Sequence, residues 1–417
     1  MNFIKHFFKE SDPLQAISWA FFDFANSSYS IMIITFVFPI YFKEVIAGNF
    51  MGDFYWGLCI SLSILAGGLS APIIGAIADY DSQRKYKFTA YTLVAVAGTA
   101  LLYFTEPNMY LFGAAIFVIT NYFFELSVVF YDSFLAHVST DETAGRISGL
   151  GWGLGYLGGV IAMLLFKPLF ENGFAGPLVG TYKLTFLCTA LFFLLFSLPA
   201  FFFIREEKTA RKKENMWHLA RIGIKNTLQT LKEIRKHKNI AWFMIAFYLV
   251  NDALVTLFAF IAIYGRQTLA MQFSEIAMIL LVIQLIGFPS AILFGWLSDQ
   301  KGSKKMLLIT LAAWCVIIVM ISLSFSKLVF YIAAVMAGLV VGSSQAIARS
   351  WFTRIVPAEK RTEFFGFNGF ASKLAATTGP LIFGSISSFA NNQRLAMLAL
   401  LPFFVVSFII FSRLEEK

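Results

Sequence analysis

The chain is poor in charge and poorer still in reactive side chains. Only 14% of its 417 residues are Asp, Glu, Lys or Arg, against roughly a quarter in an ordinary soluble domain. That excludes a water-soluble globular protein of this length. Cysteine occurs three times, at Cys59, Cys188 and Cys315, each alone in a different apolar run. Neither a disulfide framework nor a metal site has that spacing, so they read as small buried hydrophobes. Histidine occurs four times. His137-x-x-x-Asp141 has a superficial acid–base spacing but no second catalytic cluster accompanies it, so it reads as a solvated turn histidine and a polytopic membrane enzyme is the weaker class. A glycine-rich phosphate loop is also missing, which argues against ATP-driven pumping by this chain alone. No cofactor and no metal are expected.

What is there in abundance is apolar: 58% hydrophobic residues and 17% aromatics. A helix crossing the hydrocarbon needs about 20 mainly apolar residues, and polar punctuation divides the chain into twelve such runs. They read as 15–46, 53–78, 86–105, 109–137, 146–166 and 182–204, then 239–265, 274–298, 306–325, 328–352, 362–389 and 394–412. The expected fold is an all-α membrane protein of twelve transmembrane helices in two six-helix bundles. The expected domains are 1–204, a linker over 205–238, and 239–417. The N-terminal dozen residues carry Lys5 and Lys9 and lack a cleavage site of small residues, so they do not read as a secretory signal. Ser11-Asp12-Pro13 has the pattern of a helix start.

Twenty-five of the 33 Lys and Arg fall in the N-terminus, alternate turns, the 205–238 stretch and the C-terminus. By the positive-inside rule these segments face the cytoplasm. The net charge of +9 is then a topology signal, basic loops facing an anionic leaflet, and nucleic acid is excluded as a partner. In the linker, Trp217, Ile224, Leu228 and Leu231 recur at helical spacing among Lys and Arg. That suits an amphipathic helix on the membrane surface, either an anchor joining the halves or a regulatory segment.

Two turns repeat one device. Gly75-Ala-Ile-Ala-Asp79 is followed by Arg84-Lys85, and Gly295-Trp-Leu-Ser-Asp299 by Lys304-Lys305. At a constant offset of 217, Asp132-Ser133-Phe134 also matches Arg349-Ser350-Trp351, and Gly149 matches Gly366. Duplicated halves with a site between them near mid-membrane are a known transporter layout. Glycine is dense at Gly149, Gly151, Gly153, Gly155, Gly158 and Gly159, which permits close helix approach and sliding between the halves.

Charges at membrane depth need a partner or a cavity and are functional candidates by default. Asp23 shares a helical face with Trp19, Asn26, Ser27 and Ser30, a polar stripe expected to face water; a structural hydrogen bond to a neighbouring helix is the alternative. Glu125 is matched in the second half by Gly342, an asymmetry suited to proton coupling or to binding a substrate amine, against a structural pair with a base. Lys373 either snorkels or binds a substrate carboxylate. Asn251 and Asp252 add polar groups to the seventh span. Arg349 stands opposite Asp132 in the repeat, so the two are expected to pair across the halves. Candidates for substrate or proton handling are therefore Asp23, Asn26, Glu125, Asn251, Asp252, Arg349 and Lys373. Candidates for a cytoplasmic gate are Asp79, Arg84, Asp132, Asp299, Lys304 and Arg349.

The stretch Trp19-x-x-x-Asp23-x-Ala25-Asn26-Ser27-x-Tyr29, the paired acid–base turns and the twelve spans resemble the major facilitator superfamily. Within it they are similar to the branch of autophagy-related vacuolar amino-acid effluxers and their bacterial relatives. Phe22 and Phe24 depart from the Tyr and Trp of that branch. The resemblance implies that Asp79 and Asp299 latch onto the starts of the eleventh and fifth helices when the cytoplasmic side is shut, and, as the alternative to the cross-half pair, that Asp132 pairs within its own half with Arg84. The reading is a monomeric secondary transporter of a small organic solute, amino-acid-like, proton-linked, spanning a bacterial inner membrane with both termini cytoplasmic. Siderophore-like compounds, drugs or other metabolites are alternative cargo, and a non-transporting sensor of the same fold is an alternative class.

Overall fold

The computed structural model describes residues 8, 11–48, 51–81, 84–140, 143–206, 216–357 and 361–415. Fourteen helices organise them. The first half of the chain forms α1 (Pro13–Ala47), α2 (Gly52–Asp81), α3 (Arg84–Phe104), α4 (Tyr110–Val138), α5 (Ala144–Phe170) and α6 (Leu178–Phe203). A connecting helix, α7 (Met216–Lys236), leads to α8 (Lys238–Thr268), α9 (Phe273–Lys301), α10 (Ser303–Leu323) and α11 (Lys327–Ile355). The chain ends with α12 (Arg361–Ala375), α13 (Thr378–Phe389) and α14 (Gln393–Arg413). Among the described residues, eleven of these are long and apolar enough to cross a membrane.

The eleventh span departs from the expectation of one continuous helix over 362–389. It is delivered as α12 and α13, separated by a turn at Ala376-Thr377. Pro380 supplies the cause: without an N–H it cannot bond the carbonyl four residues back, and its ring opposes that turn. α1 begins as the sequence suggests, with Asp12 accepting from Leu14 N–H at 3.0 Å and Pro13 in the first turn. It then widens through π-helical turns at Ser30–Thr35 and Phe42–Ala47.

Helices pack in two groups. In the first half α1 lies on α5 and α6, and α4 on α2 and α3; in the second, α11 lies on α9 and α10, and α14 on α8 and α10. Contacts between the groups run mainly through α2 against α13 and α12, and through α5 against α9. One end of the bundle gathers the basic turns and α7 and is called the basic face; the other is the far face.

Glycine decides how closely α5 meets α1. A Cβ on Gly158 would collide with the Phe24 carbonyl, and one on Gly151 would stand 2.7 Å from Asp23 Oδ2. The Phe24 backbone cannot move aside as the Asp23 carboxylate can, so it is at Gly158 that the close α1–α5 approach requires the absence of a side chain. Gly149, on the same helix, has nothing within 4 Å. Gly158→Ala is expected to destabilise the protein by ~1–3 kcal/mol, the usual cost of overpacking, while Gly149→Ala leaves stability unchanged. Heating the detergent-solubilised protein and measuring the monodisperse fraction tests this; equal behaviour of the two variants would show that the α1–α5 contact yields freely.

Candidate functional site

The structure gathers residues scattered along most of the sequence into one charged cluster between the halves. Glu125 of α4 and Lys373 of α12 form an ion pair of 2.6 Å, and the Lys373 ammonium also donates to the Glu125 carbonyl at 3.0 Å. Both side chains are largely covered, at 18% and 20% exposure. This pair therefore links the two halves at membrane depth. Asn251 of α8 holds the residue next to the base, its amide donating to the carbonyl and hydroxyl of Ser372 at 3.4 Å each.

Asp23 lies on the first-half side of the same space. Its Oδ2 accepts from the Tyr131 hydroxyl at 2.7 Å and its Oδ1 from the Asn26 amide at 3.2 Å. Tyr131 is itself fixed by stacking on Trp19 at 4.4 Å, and Trp19 Nε1–H donates to the Tyr131 carbonyl at 2.9 Å. The stripe on α1 thus differs from a uniformly wet surface: Trp19 and Asn26 are buried, while Asp23, Ser27 and Ser30 stay half-covered. Sequence reasoning missed Tyr131. Its only signal was an aromatic hydroxyl next to Asp132.

Asp132 and Arg349 stand at matching depth on α4 and α11, six residues before each helix ends. Asp132 is enclosed by surrounding helices and yet accessible to solvent, and Arg349 is exposed as well. They therefore line an internal cleft. Arg349 is close enough to act electrostatically on both Asp23 and Asp132, and Lys373 acts on Asp132. Among the ion pairs of the described residues, none joins Asp132 to Arg349.

Asp252 has a different position from the rest. Its carboxylate receives the Thr378 hydroxyl and the Gly379 N–H, the latter at 2.9 and 3.0 Å to its two oxygens. It is buried and caps the start of α13, where a carboxylate meets the positive end of the helix dipole. A Cβ on Gly379 would strike Thr256 and Asp252, so the α8–α13 approach needs glycine there.

At the basic face the described contacts of Arg84 are with its own half and the linker, and that of Lys304 is with its own half. Arg84 donates its backbone N–H to Glu206 at 2.7 Å and places its guanidinium 3.3 Å from His137. Lys304 donates to the Leu414 carbonyl beyond the last turn of α14 at 2.6 Å. The side chains of Asp79 and Asp299 lie outside the described residues.

At the far face the halves are joined by polar contacts that the sequence reading did not anticipate. Asp53 at the start of α2 is 1% exposed and pairs with Lys43 at 2.5 Å. The same carboxylate oxygen receives the Ser387 hydroxyl and, at 2.9 Å, the Gln393 amide, both from the second half. Nearby, Arg266 of α8 stands 3.6 Å from Glu44 of α1, and Phe54 N–H donates to the Ser388 hydroxyl at 3.0 Å. Beneath them Gly57 admits the Pro380 carbonyl and Gly384 admits the Asp53 carbonyl. A polar cavity of about 590 Å³, lined by Lys43, Glu44, Asp53, Gln267, Ser387 and Gln393, overlies this seal. The available signal was a group of charges in connections otherwise nearly free of them.

This fold is shared with a solved structure, that of a point mutant of the nucleoside transporter NupG, with a TM-score of 0.69, 13% identity, and coverage of 96% of this chain and 99% of that one. The architecture is the major facilitator fold. Residues 55–417 match the family model described as vacuole effluxer Atg22 like, and the chain belongs to that family. It is 28% identical over 411 residues to the uncharacterized MFS-type transporter YxiO of Bacillus subtilis, covering 97% of this chain and 95% of the relative. Autophagy-related protein 22 of Yarrowia lipolytica is 24% identical over 303 residues, 66% of this chain and 51% of its own length. The protein is an integral membrane transporter of the MFS type, not an enzyme.

The far-face seal should loosen when its hub is removed without leaving a lone charge. With spin labels at positions 55 and 389, Asp53→Leu combined with Lys43→Met is expected to add a longer-distance population. An unchanged distance distribution would remove Asp53 from the seal.

Proposed function

We propose that this transporter carries a small zwitterionic, amino-acid-like solute by alternating access, coupled to protons. The observation that carries the reading is the charge composition of the central cluster. Among the described residues, Asp23, Glu125 and Asp132 face Arg349 and Lys373, three acids and two bases. A surplus negative charge at membrane depth is costly. A proton, or the ammonium group of a bound solute, relieves it, and either one makes occupancy of the cleft depend on charge. A zwitterion supplies an amine for Glu125 and a carboxylate for Lys373, replacing the ion pair that bridges the halves. The family description as an effluxer is in keeping with a small-molecule cargo.

The basic face is taken as cytoplasmic, since Lys and Arg concentrate on that side of each span, with both termini there and the chain in a plasma membrane as a monomer. The exposed Asp132 and Arg349 and the sealed far face then correspond to an inward-open state. Residues 1–204 and 239–417 act as two rocking domains joined by 205–238. On closure of the basic face, Asp132 and Arg349 approach and pair, and Asp79 and Asp299 latch onto the opposing half.

Uptake into proteoliposomes, screened over amino acids with and without a pH gradient, tests the function. Glu125→Gln and Lys373→Met should each lower flux at least about tenfold, the equivalent of ~1.4 kcal/mol, and Asp23→Asn should abolish the response to pH. Flux indifferent to pH, with Asp23 and Glu125 neutralised harmlessly, would overturn coupling. Ligand binding without flux would instead indicate a sensor. For the closing pair, Asp132→Arg and Arg349→Asp should each abolish flux and together restore part of it; no rescue eliminates that pairing.

A further inference from the structure

The helix between the halves, α7, has two faces with different occupants. One is buried: Gly223, Thr230 and Ile234 are covered where α7 lies against α2 and α12. A second side, about 120° round the helix from it at 3.6 residues per turn, carries Ile224 and Leu228, 47% and 54% exposed, one helical turn apart. Around them stand Arg221, Lys225, Lys232, Arg235 and Lys236, all exposed. The helix contains a single acid, Glu233, which pairs with Lys236 at 2.8 Å.

The helix that follows directly sets the depth at which this face sits. α8 starts at Lys238 and carries Trp242 in its second turn, 52% exposed. An exposed Trp near a span end marks the membrane interface. α7, about 30 Å long at 1.5 Å per residue, therefore runs into α8 at the level of that interface. An apolar pair ringed by bases at that depth fits one surface: acyl chains beneath anionic headgroups. An acidic surface without apolar groups would match the bases and leave Ile224 and Leu228 in water.

We propose that the Ile224–Leu228 face of α7 seats on anionic lipid of the membrane in which the chain is embedded. Because the buried face touches α2 of the first half and α12 of the second, this seating ties the lipid surface to both moving parts. Anionic lipid then acts as a partner that steadies the relative position of the halves at the basic face. The seating rests on the proposed function only for naming that face cytoplasmic.

The test uses the full chain in vesicles, with Cys59, Cys188 and Cys315 replaced by Ala and a polarity-sensitive fluorophore on Leu228→Cys. Vesicles of phosphatidylcholine alone are compared with vesicles containing about 30 mol% phosphatidylglycerol, an anionic content that gives a strong surface potential. The emission should shift to the blue with phosphatidylglycerol and shift back in roughly 0.5 M salt, which screens exposed charges. Replacing Arg221, Lys225, Lys232 and Arg235 by Gln should abolish the shift, whereas Lys225→Arg with Lys232→Arg should keep it. A second fluorophore on Thr230→Cys reports whether α7 remains docked. Emission that is the same in both lipids, or water-like in every composition, overturns the proposal and leaves the face to solvent or to a protein. A shift that survives the Gln replacements also overturns it. Lipid in both leaflets makes the result independent of insertion direction; phosphatidylglycerol confined to one leaflet then tests the orientation separately.

Discussion

A carboxylate or ammonium held in hydrocarbon must have a partner, and that requirement organises this molecule. Its buried and half-buried acids meet it in different ways. Asp252 uses the amide and hydroxyl at the start of α13. Asp23 uses a tyrosine and an asparagine of its own half. Asp53 uses Lys43 of the preceding helix, with polar groups from the other half added to it. Glu125 alone among these takes its main partner, Lys373, from the other half. A rigid-body movement that separated α4 from α12 would thus expose two buried charges at once, unless something else arrived to pair with them.

Close backbone approach is the second organising factor, and it depends on the first. The α2–α13 seam closes because Gly57 and Gly384 let carbonyl groups of the facing helix in. α13 is available for that seam because Pro380 interrupts the span and Asp252 holds the freed helix start. The break, the cap and the seam form one unit. Small residues set the distance, and the buried carboxylate fixes the angle at which the half-helix presents itself.

Much of this was legible one residue at a time and little of it pair by pair. Asp23, Glu125, Arg349 and Lys373 stood out because a charge in a long apolar run is conspicuous. Their convergence was not legible, since Glu125 and Lys373 are 248 positions apart and hydrophobic periodicity says nothing about which helices adjoin. The broken eleventh span had a visible signal in Pro380, outweighed by the length and hydropathy of the run around it. Lys304 is a different case. Its place in a repeated turn suggested a gate, while its long stem reaches the carbonyl end of α14 in its own half. The far-face network went unread because its members sit at span ends, where isolated charges are ordinary.

The two connections between the halves differ in what their rupture costs, and this bears on how the proposed cycle would be controlled. When the far face parts, Asp53 loses Ser387 and Gln393 but keeps Lys43, which lies on its own half. Arg266 also parts from Glu44, but that pair is long, at 3.6 Å, and partly exposed, and water entering the polar cavity can screen it and replace the bonds to Asp53 at modest net expense. Among the described residues, parting Glu125 from Lys373 leaves neither charge with an ion-pair partner in its own half, and removing one member of a buried pair is among the most destabilising changes a protein can suffer. The far-face seal is therefore suited to opening readily, whereas the central pair is suited to opening only for a solute bearing both charges or after protonation of the acid. Selectivity would then reside in the ion pair at mid-depth, and the seal beyond it would follow.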